Sequence, residues 1–166
     1  MFEKGEYVVY GTKGVCQVED ITHVDMPGAD KERLYYVLCP VHNTSGKIFS
    51  PIDNQKIVMR KVISEDEAKE LIAEIPSIEE LWISNEKERE AKYKEAVLSC
   101  DYKDWVGVMK TLYIRKQRRI AQGKKVTALD EKYLHLVENE LYDELSIALH
   151  IPANQMERHI KEQIGA

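Results

Sequence analysis

The spacing of apolar residues changes period near residue 63, and no other feature of this chain limits its fold as strongly. Upstream, the apolar runs are short and strand-like. Tyr7-Val8-Val9-Tyr10 is a β-rich run with Gly11 and Gly14 after it as turn residues. The next run sets Val15, Gln17 and Glu19 against Cys16, Val18 and Asp20, and Ile21 continues it. Pro27-Gly28 marks a turn. Leu34 to Leu38 is continuously apolar, as expected of a strand buried on both faces. Asn43 to Gly46 predicts a turn and Lys47 to Ser50 the next strand. Pro51 lacks a donor and ends the ladder or places it at an edge. Ile57 to Arg60 closes a set of four or five short strands, which predicts a small twisted sheet or barrel.

Downstream, the period is helical. Ser64 to Glu67 is a capping box, in which the serine side chain and a glutamate three residues on satisfy free backbone donors. Ala68, Leu71, Ile72 and Ile75 follow on one face, and Pro76 ends the helix. Ser77 to Glu80 predicts a second capping box, opening a short segment with Leu81 and Trp82. Ser84 or Asn85 caps a third helix through Leu98. Asp101 starts a fourth, with Trp105, Val108, Met109 and Leu112 on its apolar face, and Gly123 breaks it. Thr127, with Asp130 three residues on, caps a fifth whose inner face carries Leu134, Val137, Leu141, Leu145 and Ala148. Pro152 ends that helix or opens a last short one with Met156 and Ile160.

Strands first and helices afterwards imply an α+β protein in two segregated domains. The expected division is a small β-barrel or sheet over 1–62 and an all-α helical bundle over 63–166. Charged residues make up 32%, which suits a soluble, helix-rich chain. No apolar run is long enough to span a bilayer, and the N-terminal stretch lacks an apolar signal region. The expectation is a cytoplasmic monomer with no membrane association. Cys16, Cys39 and Cys100 are odd in number and form no CxxC, which argues against a disulfide framework or a zinc site.

The residues advertise no enzyme. The five histidines form no ligand spacing, and there is no Walker loop, GxGxxG or GxSxG. Acidic clusters such as Glu65-Asp66-Glu67 sit in first helical turns, where they favour the helix dipole. No catalytic group, metal or cofactor is expected. The informative charge is elsewhere. The chain has a net charge of −5, yet Lys110 to Lys125 holds seven cations and no acid. Such a segment contacts phosphate locally, although some of its cations serve the helix C-terminus instead. So few phosphate contacts bind weakly at cellular salt, so a second anchor is expected.

Ordered short motifs supply that anchor. Phe2-x-x-Gly5-x-x-Val8-Val9-Tyr10, Gly14-Val15, Val18-Glu19-x-Ile21, Leu34 to Leu38 and Ser50-Pro51-x-x-Asn54 resemble the RNA polymerase-interacting module shared by CarD proteins and the transcription-repair coupling factor. The helical half resembles CarD through Trp82, Ser99-x-Asp101, Thr127-Ala128 and Glu144-Leu145. The resemblance therefore covers nearly the whole chain. It implies a Tudor-like β-module that docks on the β subunit of bacterial RNA polymerase by pairing an edge strand with a polymerase strand. The strand so implied is Lys47, Ile48, Phe49 and Ser50. Val24 and Phe49 stand where some members carry arginines, and an apolar contact through Phe49 replaces the charge. Ile48 and Phe49 point opposite ways, so one of them faces the module's own core.

The resemblance also implies a DNA contact just upstream of the melted promoter region. There a tryptophan acts as a minor-groove wedge whose ring offsets lost base stacking. Trp105 shares a face with Val108, Met109 and Leu112 and reads as core. Trp82 is the implied wedge, although its own residue type leaves core packing open. The implied phosphate contacts are Arg115, Lys116, Arg118, Arg119, Lys124 and Lys125, with Arg89 at a further basic position. The expected function is sequence-tolerant regulation of open-complex lifetime. The alternative is a protein–protein adaptor whose helical half touches no DNA, which burial of Lys110 to Lys125 against acidic helices would favour.

Overall fold

In the computed structural model, contacts divide the chain into two compact units, Met1–Val62 and Ile63–Ala166. The structure describes residues 1–25, 27–28, 32–42, 46–81 and 83–165, with Thr12 and Ile164 described in their backbone alone. Trp82 and most of the expected turn at Asn43 to Gly46 lie outside the described residues.

The first unit is an antiparallel sheet of β1 (Tyr7–Tyr10), β2 (Val15–His23), β3 (Leu34–Pro40), β4 (Ile48–Pro51) and β5 (Met59–Lys61). Its strand order is β4-β3-β2-β1-β5. Among the described residues β4 and β5 do not pair, so the sheet is open with two edges. Gly14 turns β1 into β2 at φ 79, a left-handed value that costs a glycine little. Val8, Tyr10, Cys16, Val18, Tyr36 and Leu38 form the core, with Phe2, Ile21, Ile48, Ile52 and Met59 against it. Tyr36, Val37 and Leu38 are buried in succession, as the continuous apolar run predicts for a strand covered on both faces. The β2–β3 register shifts between Val18 and Asp20. Glu19 is the extra residue, opposite no residue of β3 in the register.

The second unit is helical: α1 (Glu65–Glu74), α2 (Arg89–Leu98), α3 (Tyr102–Ala121), α4 (Ala128–Leu149) and α5 (Met156–Ile164). Four expected caps form, one of them Asn85, which accepts from the Lys87 amide at the turn leading into α2. Ser64 accepts from the Glu67 amide, Asp101 from Lys103 and Thr127 from Asp130. Each such cap contributes about 1 kcal/mol. Tyr93, Ala96, Val97, Val108, Leu112, Tyr133, Leu134 and Val137 form a core between α2, α3 and α4. Trp105 is 1% exposed and donates its indole N–H to the Val97 carbonyl at 3.3 Å, as its place on the apolar face predicts. The fully buried Glu144 of α4 accepts the Ile63 amide at 2.8 Å. α4 ends at His150 in the left-handed region, and Pro152 leads into the turn before α5.

The second expected capping box does not open a helix. Residues 78–81 have no helical conformation. The Ser77 hydroxyl donates backward to the Glu74 carbonyl at 2.9 Å, closing the preceding turn. The Leu81 amide is taken by the Thr111 hydroxyl at 2.7 Å. A tertiary partner thus satisfies the donor that a helix would have used.

Candidate functional site

β4 is an edge strand because it pairs only with β3 among the described residues, through Leu38↔Ile48, Val37↔Phe49, Tyr36↔Ser50 and Tyr35↔Pro51. Alternation along the strand separates its side chains. Ile48 packs against the sheet core and Ser50 is fully buried. Phe49 points the other way and is 37% exposed, leaving much of a large ring in water. The Ser50 Oγ has no hydrogen-bond partner among the described residues. Ser50 and Ile48 can therefore meet a partner strand through backbone only. Lys47, just before the strand, pairs with Glu19 at 3.3 Å between two half-exposed side chains. Val24 is buried, so its side chain is withdrawn from any partner, as burial of apolar surface favours.

The cations of the second unit divide into two groups. Lys110, Arg89 and Arg115 are engaged internally. The Lys110 ammonium donates to the carbonyls of Ile75, Pro76 and Ile78 at 2.8, 3.3 and 2.6 Å, which closes the end of the α1 segment. Arg89 holds Glu86 in a bidentate pair, at 2.9 and 2.7 Å. Arg115 bridges Asp130 at 2.5 Å and Glu86 at 3.2 Å.

The other group sits at the C-terminal end of α3. Arg118, Lys124 and Lys125 are exposed and make no ion pair among the described residues. Lys116 is half-buried on the same helix end. Arg119 donates Nε to the Lys125 carbonyl at 2.8 Å, which leaves its remaining guanidinium donors for a ligand. The turn holding these cations is a tight helix stop. Gly123 has φ 73, its amide bonds the Ile120 carbonyl, and the Lys124 amide bonds the Arg119 carbonyl at 2.8 Å. This pattern is the Schellman closure, and it fixes the two lysines against the arginines. Ile120 lies among them, 54% exposed.

Against known families, residues 2–63 match the model of the CarD-like/TRCF RID domain. The match covers the sheet unit from its second residue onward. The domain so described is an RNA polymerase-interacting module of a transcription-related kind, a protein-interaction domain. The match ends one residue beyond the sheet unit and leaves the helical residues unmatched. No curated protein matches the chain.

Within the sheet unit, the open edge at β4 and the outward Phe49 are the features that a partner strand would meet. Among the described residues no cluster of acids, histidines and cysteines could hold a metal ion. No helix is long and apolar enough to cross a membrane.

In the helical unit, the structure joins residues into a ring that sequence reading missed. Glu86, Arg89, Tyr93, Asp130 and Arg115 form a closed ring of side chains. Arg89 donates to the Tyr93 hydroxyl at 2.9 Å, and that hydroxyl donates to Asp130 at 3.2 Å. The two arginines hold the Glu86 carboxyl at about 2, well below its ordinary 4.5; the Arg89 hydrogen bond contributes most, and Arg115 adds to it. Burial raises the Tyr93 phenol above its ordinary value. The Glu86–Arg89 pair was legible from its i, i+3 spacing. Closure through Asp130 and Arg115 was not, because those partners are 29 or more positions from Glu86 in the chain.

Proposed function

We propose that the chain is a bacterial transcription factor that binds the RNA polymerase β subunit through the β4 edge and promoter DNA through the helical unit. It would act upstream of the melted region and change the lifetime of the open complex, working in the cytoplasm with the polymerase. The observation that carries this reading is the match of residues 2–63 to the polymerase-interacting module. Lys47, Ile48, Phe49 and Ser50 form the proposed strand contact. Phe49 supplies an exposed apolar ring there, whereas the buried Val24 does not contribute a side chain.

For DNA, the proposed phosphate contacts are Lys116, Arg118, Arg119, Lys124 and Lys125. Their support is the acid-free run of sequence that carries them to one helix end, with Arg118, Lys124 and Lys125 exposed there, where cations attract phosphate on an otherwise acidic chain. Arg89 and Arg115 are proposed to act through Glu86 and Asp130 and not through direct phosphate contact. Trp82 is the proposed minor-groove wedge, on its resemblance to the family position.

An adaptor without DNA contact draws on a specific observation, the internal engagement of Lys110 and Arg115. One experiment separates the two readings. Open-complex lifetime is followed with polymerase alone, with the protein, and with Trp82→Ala or Arg118→Glu/Arg119→Glu variants. The protein should change the lifetime. Trp82→Ala should remove most of that effect. The double reversal should weaken DNA binding and flatten its salt dependence while polymerase binding persists. An unchanged lifetime with wild-type protein that still binds polymerase would favour the adaptor.

A further inference from the structure

One face of α3 acts as a strap for residues 75–81 and Glu86, which lie between α1 and α2 in the chain. Gly107, Lys110, Thr111 and Arg115 lie at i, i+3, i+4 and i+8, which superimposes them on one side of the helix. Each meets a successive piece of the segment. Lys110 gathers the carbonyls of Ile75, Pro76 and Ile78. Gly107 passes beneath Glu79 so closely that a Cβ there would stand 3.3 Å from the Glu79 carbonyl oxygen. Thr111 accepts the Leu81 amide at 2.7 Å and donates to the Gly107 carbonyl at 2.7 Å. Arg115 reaches Glu86 at 3.2 Å. Residues 78–81 have no helix or strand of their own, and Lys110 and Thr111 supply partners for the Ile78 carbonyl and the Leu81 amide.

We infer that this face of α3 is a positioning device, which sets residues 75–81 and Glu86 in register with the cationic end of the same helix. Thr111 and Lys110 are its positioning residues. The inference rests on the DNA-contact reading above and deepens it. From Thr111 to Arg119 the helix rises about 12 Å. That is the span of about three to four nucleotide steps along one strand. A segment pinned at Leu81 and the cations Arg118, Arg119, Lys124 and Lys125 at the end of the same helix thus meet a single duplex as one body, about three to four steps apart. Loss of the pin leaves the phosphate contacts intact and lets the segment shift relative to them. The sequence suggests a different role for Lys110, because it opens the acid-free basic run. Its three carbonyl partners make it a backbone clamp.

The test uses the full chain with Thr111→Val, Thr111→Ser and Lys110→Met. Three quantities are read: amide exchange across residues 75–81, open-complex lifetime, and the salt dependence of promoter DNA binding. Thr111→Val removes the acceptor for Leu81 at nearly constant volume. Exchange in the segment should rise roughly two- to tenfold, the worth of one hydrogen bond, and the effect on lifetime should fall by a comparable factor. Thr111→Ser should restore both. Lys110→Met should reduce the lifetime effect with the salt slope unchanged.

Faster exchange in Thr111→Val with a wild-type lifetime effect would overturn the positioning role. A salt slope lowered by about one in Lys110→Met would overturn the clamp, since that marks a lost phosphate contact. If wild-type protein itself leaves lifetime unchanged, the DNA-contact reading fails first. The exchange response then identifies the strap as merely structural, which also overturns the inference.

Discussion

Arg115 of α3 donates its Nε to the Asp130 carboxylate of α4 at 2.5 Å, and Asp130 is only 3% exposed. The same carboxylate accepts from the Tyr93 hydroxyl. Asp130 also lies at the third position after the Thr127 cap, so one residue joins helix initiation to the packing of three helices. Removing the carboxylate leaves a partly buried guanidinium and a buried phenol short of a partner. Asp130→Ala should therefore cost about 2–4 kcal/mol of stability. Thermal or urea unfolding measures this directly, and a cost below about 1 kcal/mol would show that solvent replaces the ring. Asp130→Asn should cost less, because it keeps acceptor capacity and loses the charge.

Glu86 makes the ring sensitive to acid. Its carboxyl titrates at about 2 in the folded chain, against an ordinary 4.5, because Arg89 and then Arg115 favour the charged form. A depressed carboxyl contributes stability that is fully present above about 4.5 and is lost as pH falls toward about 2. Glu86 is 67% exposed on its side chain, so solvent screening keeps that contribution small. The expected observation is a difference in melting temperature between wild type and Glu86→Gln that is constant above about pH 5. It should shrink steadily between about pH 4.5 and 2. A difference that grows on acidification would contradict the assignment.

Adjacent residues on β4 should respond differently. Phe49→Ala removes a ring that is 37% exposed and partly covered, so it should cost about 1 kcal/mol of stability, while weakening polymerase binding several-fold. Ile48→Ala removes a side chain packed on the sheet core and should cost about 1–2 kcal/mol, toward the low end for core truncations because Ile48 is half-buried. Parallel melting and polymerase-binding measurements on the two variants check the contrast. Equal binding by wild type and Phe49→Ala would remove Phe49 from the contact.

Gly123 should be costly to replace for backbone reasons alone. A Cβ there meets nothing within 4 Å, yet φ is +73. Gly123→Ala should therefore cost about 1–2 kcal/mol through left-handed strain. It should also loosen Lys124 and Lys125 relative to Arg119, lowering DNA affinity more than Lys124→Ala alone. Unfolding and DNA titration on both variants test this. An unchanged melting temperature would mean that the helix stop rearranges freely.

Much of the fold is written in local residue patterns. Ser64, Asp101 and Thr127 each cap a helix through contacts no more than three residues away, so their roles are visible without tertiary structure. Ser77 shows where that reasoning fails. Its capping signal resembles that of Ser64, but the Leu81 amide finds Thr111, 30 positions away. A single distant hydroxyl outweighed a local propensity worth about 1 kcal/mol.

The same division holds for the candidate interfaces. Sequence by itself determined the strand-to-helix change of period, the two-state alternation of Ile48 and Phe49, and the acid-free run from Lys110 to Lys125. These depend on neighbours along the chain, whose geometry the backbone repeat sets. Only the tertiary structure decided that Phe49 faces outward on an edge and that Lys110 and Arg115 bind inward while Arg118, Lys124 and Lys125 remain open. The physical reason is range. A charge in a sequence is a cation wherever it stands, but whether it meets a carbonyl, a carboxylate or water depends on which helix packs opposite it.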